Sequence, residues 1–286
     1  IDDTSPTAVP NFIPIDITPG DEEDRDANHI RALASRDAAG NGETYGFNVT
    51  EVAFGETTSN VVQLLQLSNA TGAAEVLTQL QKATLEEDVV SEIDLPVFVE
   101  FQAFAVDPTS GLAYALGRRA DDPALDRVKT HLFRINRLTG STTDLGILTN
   151  TDNGNEMQFV RAMDIDDTGQ LFVLGDVTPN FPAPPDQLDM SLVAIDKTDA
   201  TFGRENVTAV VDSAGVAITE RYEAMSFHPD GRIFAILRGA DADDAEFFDS
   251  QLHEIDVATA IALNHGQVQL ANEEMFIGGI TFAGLD

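Results

Sequence analysis

Alternating apolar and polar residues recur in three similar stretches of the chain, each interrupted by a short polar turn. The stretches cover residues 104–116, 163–174 and 225–236, and their turn glycines stand at 111, 169 and 231, which are steps of 58 and 62. An alternating segment that runs into Asp, Pro, Thr and Gly and then alternates again is typical of a β-hairpin. The pattern therefore predicts three hairpins.

A second unit follows each hairpin. It begins at Leu132, Leu192 and Leu252, and an earlier copy begins at Leu64, so the steps are 68, 60 and 60. In every copy an apolar strand ends at a polar corner, and another apolar segment follows. Two hairpins per period of about 60 residues make one four-stranded sheet, which is the blade of a β-propeller.

The repeat predicts an all-β protein, a β-propeller of about four four-stranded blades over residues 47–286. Residues 279–286 match the opening strand of the repeat, with Ile280 falling 55 positions after Met225. We expect this C-terminal strand to pair with the N-terminal blade and close the ring, because closure removes exposed sheet edges. One alternative has five blades, with residues 12–20 as a degenerate hairpin. In another, the C-terminus is a cut and further blades are missing.

Residues 1–46 differ in composition and are predicted to form a Pro- and acid-rich N-terminal arm. Pro6, Pro10, Pro14 and Pro19 space its first part, an acidic run covers 21–24, and a short helix is compatible with residues 27–36. The arm is interpreted either as a loosely packed tail or as a connection between subunits. In the second case its apolar stretch 9–17 adds a strand to a neighbour, giving a homo-oligomer or filament.

The corner motif LxxIDxxTG, paired with the hairpin motif DPxxGxLxxL, resembles the secreted or periplasmic bacterial propellers of the YVTN and quinoprotein-like group. The resemblance covers about residues 47–286, and it departs from the pattern at Ala200 and Ala260, which replace the corner glycine. The resemblance implies that these motifs form turns within propeller blades. Proteins of this broad group include lactonases, glycan-binding proteins and assembly scaffolds, so the resemblance implies no catalytic residue.

The chain carries 49 acidic and 16 basic side chains, a net charge of −33, and it has no cysteine. Such a charge repels phosphate backbones and anionic bilayers, so we expect no nucleic-acid partner. Without cysteine there is no disulfide framework and no thiolate site. The acidic, lysine-poor composition suits a halophilic or cation-rich extracellular setting, although simple solubility explains it too.

The chain begins at Ile1 and has no apolar run near 18 residues. These features predict a mature secreted, extracellular or periplasmic protein without membrane insertion.

Many carboxylates fall in loops that a propeller places on one face, namely the loops between second and third strands and the connectors between blades. The best candidates for a cation site are Asp241, Asp243 and Asp244 in one loop, and Asp152, Asn153, Asn155 and Glu156 in another. Ca²⁺ takes several oxygen ligands from such groups. The alternative interpretation is that these are solvated acidic loops.

Three aromatic residues on the same face, Phe181, Phe247 and Phe248, are candidates for stacking on a glycan or small-molecule ligand, or for packing the loops down. Three sequons, at Asn48, Asn69 and Asn206, permit glycosylation.

No catalytic motif is present: the sequence has no HExxH, no GxSxG and no glycine-rich nucleotide loop. We therefore expect no nucleotide cofactor and assign no catalytic residue. The sequence favours a non-enzymatic binding or self-assembly module. The alternative is a lactonase- or glycosidase-like propeller hydrolase with a metal or carboxylates on the central axis. Its polar residues near the first strands are Gln102, Arg161, Asp164 and Glu223, which do not repeat cleanly.

Overall fold

The computed structural model describes residues 30–36, 43–54, 57–67, 74–79, 83–85, 98–122, 127–177, 188–238, 250–270 and 273–274. Most of these residues belong to β-strands, and the larger sheets are antiparallel apart from short connector strands and follow one another along the chain. A short 3₁₀ helix, Arg204–Asn206, interrupts the third sheet. No helix within these ranges is long and apolar enough to cross a bilayer.

Four sheets form the blades, and each is built from consecutive strands. Blade 1 contains β1 (Ile30–Arg36), β2 (Glu43–Phe54), β3 (Thr57–Leu67) and β4 (Ala74–Gln79). Blade 2 contains β6 (Phe98–Val106), β7 (Ala113–Asp122), β8 (Arg127–Ile135) and β9 (Thr142–Ile147). Blade 3 contains β11 (Gln158–Ile165), β12 (Leu171–Asp176), β13 (Met190–Ile195) and β15 (Val207–Ala209). Blade 4 contains β17 (Tyr222–Phe227), β18 (Ile233–Arg238), β19 (Ser250–Ile255) and β20 (Ile261–Gln267).

Short strands in the connectors tie successive blades together. β5 (Ala83–Leu85) runs parallel to β9, and β16 (Val211–Asp212) runs parallel to β20. β10 (Thr149–Asn150) pairs in the same way with β14 (Thr201–Phe202), and β21 (Gln269–Leu270) forms a small hairpin with β22 (Glu273–Glu274). The chain leaving one blade thus adds a parallel strand at the outside of the next, which covers an otherwise open edge.

The first strand of each blade lies innermost. β1 packs beside β6, β6 beside β11, and β11 beside β17. Apolar side chains fill the spaces between adjacent blades: Phe47, Phe104 and Phe133 lie between blades 1 and 2, while Tyr222 and Leu192 lie between blades 3 and 4. The innermost strands therefore surround the propeller axis.

The all-β propeller with four blades in a ring is confirmed. Residues 279–286 and 12–20 lie outside the described residues, and so do the predicted C-terminal closure and the fifth-blade alternative. The helix considered over 27–36 is wrong for residues 30–36, which form β1. β1 pairs with β2, from Leu33 opposite Gly46 to Arg36 opposite Glu43, and this pairing overrides the helix propensity of the segment. Residues 30–36 and 43–46, placed by the sequence in the arm, thus contribute strands to blade 1.

Candidate functional site

Three innermost strands carry a polar residue at the same register position. Each of these residues directly precedes an alanine that is paired with a residue of the second strand of the blade. The cross-strand pairs are Ala103 with Leu116, Ala162 with Leu174, and Ala224 with Ile236. The three polar residues are Gln102 on β6, Arg161 on β11 and Glu223 on β17. The ladder is irregular at each of these positions, and bulges of this kind redirect side chains, often beside active sites.

Glu223 is buried and pairs with three arginines, a group that we call the axial cluster. Arg161 Nη1 lies 3.2 Å from its Oε2. Arg221 donates from Nε to Oε1 at 2.8 Å. Arg238 Nη1 lies 3.7 Å from Oε1. Because Arg161 comes from blade 3 and the other residues from blade 4, the axial cluster spans two blades.

Asp164 lies three residues beyond Arg161 on β11 and also bridges to blade 4. Its Oδ2 accepts hydrogen bonds from Ser226 Oγ at 3.1 Å and from the Phe227 amide at 2.7 Å, and its Oδ1 accepts from the Ile165 amide at 2.8 Å. The side chain keeps some solvent access although protein surrounds most of it. This burial raises the pKa of Asp164 to about 6, against the lowering effect of its hydrogen bonds. Asp164 therefore changes protonation state in weakly acidic solution.

Asp164 and Glu223 stand at different register positions on their strands. Arg161 and Glu223 each precede the paired alanine of their strand, whereas Asp164 and its partner Ser226 follow three residues later. Asp164 and Glu223 are thus offset by three residues on neighbouring strands, roughly 10 Å at the usual rise of a β-strand.

Several buried polar atoms on these strands make no hydrogen bond within the described part of the chain. They are both amide atoms of Gln102, Oε1 of Gln158 and Nε of Arg161. Buried polar atoms in folded proteins nearly always have a partner. A bound molecule that reaches these atoms would supply one.

The start of β11 is also strained. Phe159, next to Gln158, has φ 53°, a conformation that a bulky side chain rarely adopts. Strain of this kind concentrates at functional sites.

The predicted cation residues that the structure describes lie in the loop after β10. Asp152 Oδ2 accepts a hydrogen bond from the Arg204 amide at 2.7 Å, and Asn153 Oδ1 accepts one from the Asn155 amide at 2.9 Å. The backbone of Glu156 forms an isolated antiparallel β-bridge with Thr149. Within the ranges that the structure covers, no group of three or more His, Asp or Glu side chains could hold a metal ion. The Ca²⁺ site stays a prediction.

Only two of the other predicted site residues, Asn48 and Asn206, are among the described residues. Asp241, Asp243, Asp244, Phe181, Phe247, Phe248 and Asn69 lie outside the described residues. Asn48 is on β2, and Asn206 is exposed in the 3₁₀ helix.

Sequence reasoning named four of the axial residues but missed Arg221 and Arg238. The available signal was the hairpin register of blade 4, because the Arg238 amide donates to the Arg221 carbonyl at 2.9 Å. Aligning the two strands of that hairpin would have placed both arginines beside Glu223.

No protein-family model matches the sequence, and no curated protein matches it. Two solved structures resemble the fold, each with a TM-score of 0.50 and 12% identity over 84% of this chain. One is a GH43_1 enzyme from Xanthomonas citri complexed with xylose, of which 74% is covered. The other is an exo-β-1,3-galactanase from Clostridium thermocellum, and this chain spans only 50% of its length.

At this identity the likeness establishes the fold. The propeller in the sequence-based resemblance is confirmed, whereas nothing ties the corner motif to the YVTN and quinoprotein-like group. The preference for a non-enzymatic module is contradicted, because the propellers that this chain resembles are glycoside hydrolases. Composition and motifs favoured a non-enzymatic module because carboxylates on different blades lie far apart in sequence and form no recognisable motif.

Proposed function

We propose that this propeller is a glycoside hydrolase whose reaction takes place on its axis. The proposal rests on the state of Asp164. Its carboxyl group is partly accessible on an innermost strand, and its pKa is raised to about 6. A second carboxylate, Glu223, lies on the adjacent innermost strand. Most glycosidases act through such a pair of carboxyl groups.

Asp164 is the general acid of this proposal. A carboxyl group that is still protonated near the working pH can donate its proton to the leaving glycosidic oxygen. Once ionised, the carboxylate keeps the hydrogen bonds from Ser226 and from the Phe227 amide, which stabilise the charge that develops.

Glu223 is the general base that activates water. Its arginines orient the carboxylate, since Arg161 contacts one oxygen while Arg221 and Arg238 contact the other. The backbone offset of roughly 10 Å between the two residues leaves room for a water molecule beside Glu223, as an inverting mechanism requires.

Two further observations support the proposal. One structural neighbour holds xylose and the other is a galactanase. Unpartnered amide atoms of Gln102 lie at the same register as Arg161 and Glu223 and suit sugar hydroxyls. A secreted or periplasmic location, which the YVTN-like motifs imply, belongs to the proposal as well.

The test is hydrolysis of a panel of chromogenic glycosides and plant and microbial polysaccharides. The wild type is expected to cleave at least one substrate, and Asp164→Asn should lower kcat/KM about 100-fold or more. Asp167→Asn, which changes an exposed carboxylate in the following turn, is the matched control and should retain activity. Equal activity of the two variants, or no cleavage of any substrate, would refute the proposal.

A further inference from the structure

The axial cluster contains more positive than negative charge. Arg161 and Arg221 both pair with the single carboxylate of Glu223, so 2 − 1 leaves a surplus of one positive charge before Arg238 is counted. In the part of the chain that the structure covers, no second carboxylate forms an ion pair with Arg161 or Arg221. This local excess stands out in a chain whose net charge is −33.

The guanidinium groups are accessible enough to bind a ligand. The side chains of Arg161, Arg221 and Arg238 are 23%, 17% and 27% exposed, whereas Glu223 is only 4% exposed. Burial and the neighbouring charge of Arg221 lower the pKa of Arg238. Arg221 and Arg238 therefore lie close enough for their charges to repel each other.

A neutral hydrogen-bonding group stands at the same register on the next innermost strand. Gln102 is 6% exposed, and neither its amide nitrogen nor its amide oxygen has a partner among the described residues. Nε of Arg161 is likewise buried and unpartnered. The axis therefore offers an unbalanced cationic group together with a free donor and acceptor.

From this arrangement we infer that the axial cluster binds the carboxylate of an acidic sugar, so that the ligand is a uronic acid or a glycan that contains one. The planar fork of arginine matches a carboxylate through two parallel hydrogen bonds, and the Gln102 amide suits the ring hydroxyls. That this ligand is the substrate rests on the proposed function; the binding itself does not.

The acidic surface sets the conditions for the test. A net charge of −33 repels acidic glycans at low ionic strength. At about 1 M salt the screening length falls to about 3 Å, so long-range repulsion vanishes while direct contacts persist. Binding of glucuronate is therefore measured by calorimetry at about 1 M NaCl, with glucose as the neutral counterpart.

The wild type should bind glucuronate at least about tenfold more tightly than glucose, since each charge-assisted contact contributes on that order. Arg161→Gln should weaken glucuronate binding about tenfold and leave glucose unchanged, while Arg161→Lys, which keeps the charge, should lose less. Glu223→Gln should bind glucuronate more tightly, because it removes the competing carboxylate. Arg204→Gln, which removes an exposed arginine elsewhere, is the matched control.

Equal affinity for glucuronate and glucose would overturn the inference, as would sulfate or acetate binding as tightly as glucuronate. So would an Arg161→Gln protein that melts like the wild type and binds like Arg204→Gln. Glucuronate binding without hydrolysis of any glycoside would refute only the proposed function. Cleavage of neutral glycosides through Asp164 without glucuronate binding would refute only this inference.

Discussion

Two acidic residues on the axis differ because of what surrounds each carboxyl group. Asp164 receives hydrogen bonds from a hydroxyl and two backbone amides, and burial dominates, so its pKa rises to about 6. Glu223 is also buried, but guanidinium groups balance its charge. Sequence reasoning could name both residues as axial candidates. It could not separate their roles, because the neighbours come from other strands and from another blade.

The spacing of the two carboxyl groups leads to a stereochemical prediction. Because the backbone positions of Asp164 and Glu223 are offset by roughly 10 Å, we expect water and the leaving group to occupy opposite sides of the sugar, as in inverting enzymes. NMR spectra recorded during early hydrolysis should show a product of the opposite anomeric configuration. A first-formed product of retained configuration would contradict the assignment of Glu223 as base. Mutarotation measured in a substrate-free sugar solution is the control.

At the scale of elements, the repeated turns were the most predictable feature. The corner residues Asn136, Asp196 and Asp256 each accept hydrogen bonds from backbone amides two residues on, which closes the turn locally. Ala200 and Ala260 adopt φ 60° and 52° where Gly140 has 71°, so the lost glycines leave the corner unchanged. The parallel connector strands were not predicted, because segments of two or three residues carry no periodicity.

Neighbouring blades are also joined by an ion pair between turns, which yields a stability prediction. Lys197 of blade 3 donates to the buried carboxylate of Asp107 in blade 2. Burial raises the pKa of Asp107, but hydrogen bonds from Lys197, Thr109 and Ser110 outweigh that effect and hold the pKa well below its usual value of 3.8. Lys197→Met leaves that carboxylate without its cation, and we expect a loss of about 3 kcal/mol in the free energy of unfolding at neutral pH.

The sign of the pH dependence follows from the lowered pKa. Asp107 stabilises the fold above its unfolded pKa, and this contribution is lost as the pH falls below about 4. Urea denaturation of the wild type and of Lys197→Met should therefore show a difference that shrinks in acid. Thr198→Ala, in the same corner, is the neighbouring control. Equal stability of wild type and Lys197→Met at neutral pH would contradict this account.

At the scale of the whole molecule, the charge of −33 sets the dependence of stability on salt. Like charges repel one another more strongly in the compact state, and salt screens them. The melting temperature should rise between about 0.1 M and 1 M NaCl, where the screening length falls from about 10 Å to 3 Å. Sucrose at equal osmolarity controls for exclusion effects. A melting temperature independent of NaCl would show that the carboxylates are already neutralised in the fold.

The period of the repeat predicted four-stranded blades, and its four copies predicted about four of them with five left open, because each copy forms one blade. The axial cluster was only partly predictable. It depends on the register between Arg161 and Glu223, which are far apart in sequence, and on the cross-strand position of Arg238. The acidic loops suggested a cation site, because the excess of acidic residues is visible in the composition. The local excess of arginine on the axis is not visible there, because it arises only when the strands are aligned.

The central claim is that Asp164 is the acid of a hydrolytic site on the axis. Its most direct test is the pH dependence of kcat/KM, which reports the ionisation of the free enzyme. With a pKa of about 6, activity should fall above that pH as the proton to be donated is lost. In Asp164→Asn, kcat/KM should drop about 100-fold or more, and the fall of kcat/KM above that pH, the alkaline limb of the profile, should disappear. A limb that persists in Asp164→Asn, or wild-type activity that stays level well above that pH, would contradict the account.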